Sequence, residues 1–131
     1  MPQPNNNQKK KAYLLLIEDD PQIAFMYKTK LTAAGYKVEV RPDGPSGWEA
    51  LTTGPRPDLL LLDIVLPRKD GFEILRDLRR HPTLHDLKVI LLTNLGQEAD
   101  VKEGKRLGAD DYIIKARITP QELVDKIKQH L

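Results

Sequence analysis

The chain has no cysteine, which excludes disulfides, thiolate nucleophiles and thiolate metal ligands. It leaves no redox sign of compartment. No apolar run approaches the roughly 20 residues needed to span a bilayer, so no membrane association is expected. Met1 to Gln8 has no apolar core of the kind a secretory signal carries, and the cytoplasm is the expected location. Charge of one sign is also missing. Lys and Arg number 21 against 19 Asp and Glu, a net charge of +2 that gives no argument for nucleic acid. The three histidines, His81, His85 and His130, fit no metal-binding spacing and read as surface residues. No repeat and no linker divides the 131 residues, a length that suits one core.

Against these absences stands a run of four leucines, Leu59 to Leu62, that ends in Asp63. An apolar run this short reads as a strand buried on both faces inside a parallel sheet. An acid directly after it stands at the strand's carboxyl end, where open α/β sheets place their ligand crevices. Residues 64–71 then read as a loop that presents Asp63.

The rest of the chain repeats one rhythm. Residues 1–11, with the basic run Lys9-Lys10-Lys11, are expected to be a polar, disordered tail, and 12–131 one domain. Tyr13 to Ile17 predicts a first strand. Asp20 as N-cap and Pro21 at the first helical position open a helix that Gly35 closes. Val38 to Val40 predicts a second strand. Asp43-Gly44-Pro45 reads as a turn before a short helix holding Trp48, Ala50 and Leu51. After the leucine strand, a helix is expected over 71–80. Val89 to Leu92 predicts a fourth strand ending at Thr93, followed by a weak helix that Gly108 closes. Tyr112 to Ile114 predicts a fifth strand ending at Lys115. Thr119-Pro120-Gln121-Glu122 is a capping box that opens the last helix. Five β–α units in strict alternation predict a parallel sheet with helices on both faces and right-handed crossovers.

Parallel strands send their carboxyl ends to one edge. Glu18 and Asp19, Asp63, Thr93 and Lys115 therefore converge. Three carboxylates repel one another unless cations intervene. Lys115 is one cation, and an all-oxygen ligand set points to a hard ion, Mg²⁺ in preference to Ca²⁺. A carboxylate nucleophile with Mg²⁺, a lysine and a threonine suits formation of an acyl phosphate.

These residues carry a resemblance. Leu15-Leu16-Ile17-Glu18-Asp19-Asp20, Leu61-Leu62-Asp63-Ile64-Val65-Leu66-Pro67 with Asp70-Gly71, Leu91-Leu92-Thr93, and residues 108–115 ending in Tyr112-Ile113-Ile114-Lys115 resemble the receiver domain of bacterial two-component response regulators. The resemblance runs from about Ala12 to Leu131. It implies a flavodoxin-like (βα)5 fold, doubly wound, with strand order 2-1-3-4-5. It implies that Asp63 is the phosphoacceptor, fed by a histidine kinase or phosphotransfer protein. Asp19 and Glu18 would hold Mg²⁺ with Asp63 and the Val65 backbone carbonyl. Thr93 and Lys115 would contact the phosphoryl group, and Thr93 and Tyr112 would form the switch. The chain is expected to be a stand-alone receiver with no output domain, a switch and not an enzyme. Its unknown output protein would bind the face of the fourth helix, fifth strand and fifth helix, around Lys105, Arg106, Tyr112, Arg117 and Ile118.

The chain departs from the family at two positions. Ala116 follows Lys115 where the family usually has a proline in a cis bond, so a trans bond and a shifted approach to the last helix are expected. Asn94 follows Thr93 where a small residue is usual. By analogy with the family, Val65 and Leu95 are expected to flank the path of attacking water. Both are apolar, and slow self-hydrolysis follows. Two other readings compete: a non-phosphorylated pseudo-receiver that is a constitutive interaction module, and a small-molecule phosphatase or phosphotransferase using Asp63. The second lacks a substrate-enclosing insertion and a spare acid.

Overall fold

The structure, a computed structural model, describes residues 11–131. The tail expected over residues 1–11 lies outside the described residues except for Lys11. The elements alternate as the periodicity predicts: β1 (Tyr13–Ile17), α1 (Pro21–Ala33), β2 (Lys37–Arg41), α2 (Gly44–Thr53), β3 (Leu59–Leu62), α3 (Gly71–Arg79), β4 (Val89–Thr93), α4 (Glu98–Arg106), β5 (Asp111–Ile114) and α5 (Pro120–His130). A single 3-10 turn, Lys115–Arg117, joins β5 to the last loop. All strand pairs are parallel, in the order β2-β1-β3-β4-β5.

Every side chain of the leucine run is fully buried. Alternation along the strands divides them between two cores. Leu60 and Leu62, with Leu15, Ile17 and Leu91, pack against Ala50 and Leu51 of α2 and Ile74, Leu75 and Leu78 of α3. Leu59 and Leu61, with Leu14, Leu16 and Leu92, pack against Ala24, Tyr27 and Leu31 of α1 and Leu123, Val124 and Ile127 of α5. A charge anywhere in the run would be stranded without water on either face. Ile17 and Leu62 form the last pair between β1 and β3, so Glu18 and Asp63 leave the sheet side by side. Thr93 pairs with Ile114, so Lys115 leaves the sheet just past Thr93.

The caps account for most helix starts. The Asp20 carboxylate accepts from the N–H groups of Gln22 and Ile23, and Pro21 occupies the first helical position. Thr119 and Glu122 form the expected capping box. The Asp43-Gly44-Pro45 segment is the first turn of α2 and not a separate turn. Asp43 is its N-cap, bonded to the Ser46 N–H at 2.7 Å, and Pro45 sits in the first turn, where no N–H is needed. Asp70 and Glu73 form a second capping box that opens α3.

Arg79, at the end of α3, binds two separate stretches of chain, one before β4 and one before β5. Its guanidinium donates to the carbonyls of His85, Leu87 and Gly108 and reaches the Asp110 carboxylate at 3.3 Å. Asp110 in turn accepts from the Val89 N–H at 2.8 Å. The amino ends of β4 and β5 are thereby fixed to α3. No helix among the described residues is long and apolar enough to cross a membrane.

Candidate functional site

At the carboxyl edge of the sheet, Glu18 and Asp63 are only 2% and 5% exposed. Two ionisable acids this deeply covered need a counter-charge. Lys115 supplies one. Its ammonium lies 2.7 Å from Glu18 Oε1 and 2.9 Å from Asp63 Oδ2, and its own side chain is buried. Burial works to lower the Lys115 pKa, but the two carboxylate bonds outweigh it and raise the value overall. The remaining acceptors are also used. Asp63 Oδ1 takes the Ile64 N–H at 2.7 Å, and Glu18 Oε2 takes the Asp20 N–H at 3.1 Å. Burial still pushes the Glu18 carboxyl above its usual value, against the Lys115 and Asp20 bonds that lower it.

Asp19 is exposed, yet its carboxylate joins the cluster. Ligand oxygens of Glu18, Asp19 and Asp63 all lie within 4.8 Å of one another. One ammonium against three carboxylates leaves the cluster with excess negative charge. The donors are all oxygens, and one of the acids faces solvent. This set suits a hard divalent cation that keeps part of its water shell.

The start of α3 closes the loop after β3 against the end of that strand. Gly71 donates to the Ile64 carbonyl at 2.8 Å, and a Cβ at this position would come within 2.2 Å of the Asp63 carbonyl oxygen. Only glycine permits this approach. Sequence reading met Asp70-Gly71 as a loop pair and missed this close contact. The signal lay in the cap, an Asp three residues before Glu73. Val65 stands 59% exposed on this loop.

Thr93 is buried at the end of β4, and its hydroxyl oxygen accepts the Leu95 N–H at 3.3 Å. Tyr112 lies outside the acidic cluster. Half-buried on β5, its hydroxyl donates to the Leu95 carbonyl. Burial, with Asp100 and Asp63 nearby, pushes the Tyr112 phenol up to about 12, so it remains a donor. Gly104 of α4 seats the ring, and a Cβ there would meet Tyr112 Cδ2 at 3.0 Å. No peptide bond among the described residues is cis, in line with the trans bond expected at Ala116.

The family model of the response regulator receiver domain matches residues 14–128. The chain belongs to this family. The receiver is 43% identical over 102 residues to the DNA-binding dual master transcriptional regulator RpaA of Synechocystis, covering 78% of this chain and 42% of that protein. The chain spans under half the length of the curated relatives it matches. Among solved structures, chemotaxis protein CheY4 of Vibrio cholerae superposes with a TM-score of 0.85 at 26% identity, over 93% of this chain and 100% of that one. The phosphorylated cyanobacterial phytochrome response regulator RcpA superposes with a TM-score of 0.80 at 27% identity, over 92% and 91%. Receiver domains are signalling switches of two-component systems and bind Mg²⁺ at an acidic pocket, and this structure holds an acidic cluster of Glu18, Asp19 and Asp63.

Proposed function

We propose that this receiver takes a phosphoryl group on Asp63 from a histidine kinase or phosphotransfer protein, in a magnesium-dependent reaction, and switches a partner protein. The observation that carries the reading is the Lys115 ammonium, buried between Glu18 and Asp63 beside the exposed Asp19. Asp63 is reached by one cation on its covered side and stands among acids on the other.

An Asp63 carboxylate oxygen attacks phosphorus, and the bond from phosphorus to the donor imidazole breaks. The electron pair of that bond returns to the imidazole nitrogen, which takes up a proton. Glu18, Asp19, Asp63 and the Val65 backbone carbonyl would hold Mg²⁺, which when bound would neutralise the phosphoryl oxygens. Lys115 exchanges its contact with Asp63 Oδ2 for a phosphoryl oxygen. The Thr93 hydroxyl, freed of its role as acceptor for Leu95, donates to another. Tyr112 leaves the Leu95 carbonyl and turns inward as that loop moves. The phosphoryl group carries near −2 at neutral pH where the free carboxylate carried −1, and this change of charge and shape is what biases the two states.

Output passes through the face of α4, β5 and α5, around Lys105, Arg106, Tyr112, Arg117 and Ile118. Shallow clefts flank β5 on both sides there. The partners of this unit are proteins, with no nucleic acid or membrane surface, and its location is the cytoplasm. DNA binding is named for RpaA, of which the match covers the smaller part. The reading is tested with acetyl phosphate and Mg²⁺, followed by intact mass. Wild type gains one phosphoryl group and Asp63→Asn gains none. Equal labelling of the two would remove Asp63 from the role. No labelling of either would favour a constitutive interaction module.

A further inference from the structure

Asn94 and Ala116, 22 residues apart, are joined by a hydrogen bond. The Asn94 side-chain Oδ1 accepts the Ala116 N–H at 3.0 Å. Each of these residues directly follows a residue of the site, Thr93 and Lys115. Ala116 lies in the first turn of the 3-10 segment, whose leading N–H groups have no partner within the turn. The turn's own closure is long, with the Ile118 N–H 3.5 Å from the Lys115 carbonyl. Asn94 therefore supplies the acceptor that the turn lacks. The loop that carries it has two further ties: Thr93 Oγ1 accepts the Leu95 N–H, and the Tyr112 hydroxyl donates to the Leu95 carbonyl. Of the three, only the Asn94 bond reaches the segment that aims Lys115.

We infer that Asn94 is a positioning residue that acts through Lys115: its side chain clamps the turn after β5 to the loop after β4, so that Lys115 is held on Asp63 and moves together with Thr93. The inference rests on the phosphoacceptor reading of Asp63. The bond is exposed at both ends, so its effect is modest. Loss of the acceptor is expected to slow phosphoryl uptake roughly 2- to 10-fold, in the maximal rate more than in the half-saturating acetyl phosphate concentration.

The test uses Asn94→Ala and Asn94→Leu, which lack the acceptor, and Asn94→Asp, which keeps it. Hydrogen exchange of the Ala116 amide is measured beside the uptake rate. Both acceptor-free variants are expected to speed exchange at Ala116 and to slow uptake, with Asn94→Asp keeping the amide protected. In a Lys115→Ala background, Asn94→Ala is expected to add no further loss, because its effect passes through Lys115. A full additional loss in that background, or uptake unchanged in both acceptor-free variants, would overturn the inference. If wild type takes up no phosphoryl group, the phosphoacceptor reading fails. The clamp is then decided by exchange alone, where unchanged Ala116 protection in Asn94→Ala overturns it.

Discussion

Glu18 shows how a single residue can oppose the stability of the fold it serves. Its folded pKa is raised, chiefly by burial. A raised value means that its contribution to stability is full below the unfolded pKa and is lost as pH rises through the folded one. At neutral pH the ionised carboxylate is therefore a cost, borne for the sake of the cation site. In metal-free buffer, Glu18→Gln is expected to be more stable than wild type at pH 7 by about 1 kcal/mol. That advantage should shrink as pH falls below the folded value, and denaturant midpoints across the range check it. A pH-independent difference would contradict the assignment. Val65 and Leu95 carry a second prediction at this scale. Neither side chain can orient a water, so polar substitutions such as Val65→Asn with Leu95→Glu should shorten the phosphoryl lifetime several-fold. A half-life left unchanged by the pair would argue against slow hydrolysis set at these positions. Glu18, Asp63, Thr93 and Lys115 were legible in the sequence because each closes an apolar strand. The Asn94–Ala116 bond was not, because a contact between two loops leaves no periodicity.

At the scale of elements, the strands announced themselves and the joints did not. The buried leucine run, the alternating β2 and the Thr119 capping box follow from local chemistry that a sequence displays directly. The start of α2 was misread as a turn because Asp43-Gly44-Pro45 suits both a turn and a capped first helical turn. The neighbouring Ser46 N–H decides between them. Arg79 was invisible for a different reason. Its carbonyl partners carry no side-chain signature, and its value lies in joining α3 to the starts of β4 and β5. Arg79→Ala takes the guanidinium donor from those carbonyls and leaves Asp110 with the Val89 N–H alone. It is expected to cost about 2–3 kcal/mol in chemical denaturation, while Arg79→Lys, which cannot span the fork, recovers only part. A loss within about 0.5 kcal/mol, the range of ordinary surface substitutions, would show that the clamp is not needed.

For the molecule as a whole, the sheet is a device for gathering charge at one edge while its two cores exclude it. Filling the acidic site should therefore stabilise the entire domain. At Mg²⁺ concentrations near 100 times the dissociation constant, the gain is expected to be about 2.7 kcal/mol, read as a rise in Tm. Asp19→Ala should abolish that rise with little change in metal-free stability, since Asp19 is exposed. An equal rise in wild type and Asp19→Ala would place the ion elsewhere. The central claim is that Asp63 receives the phosphoryl group. The most direct measurement treats the chain with acetyl phosphate and Mg²⁺, reduces the acyl phosphate with borohydride and maps the product by peptide mass spectrometry. The account predicts homoserine at position 63 and nowhere else. Homoserine at position 19, hydroxynorvaline in place of Glu18, or reduction at none of the three would contradict it.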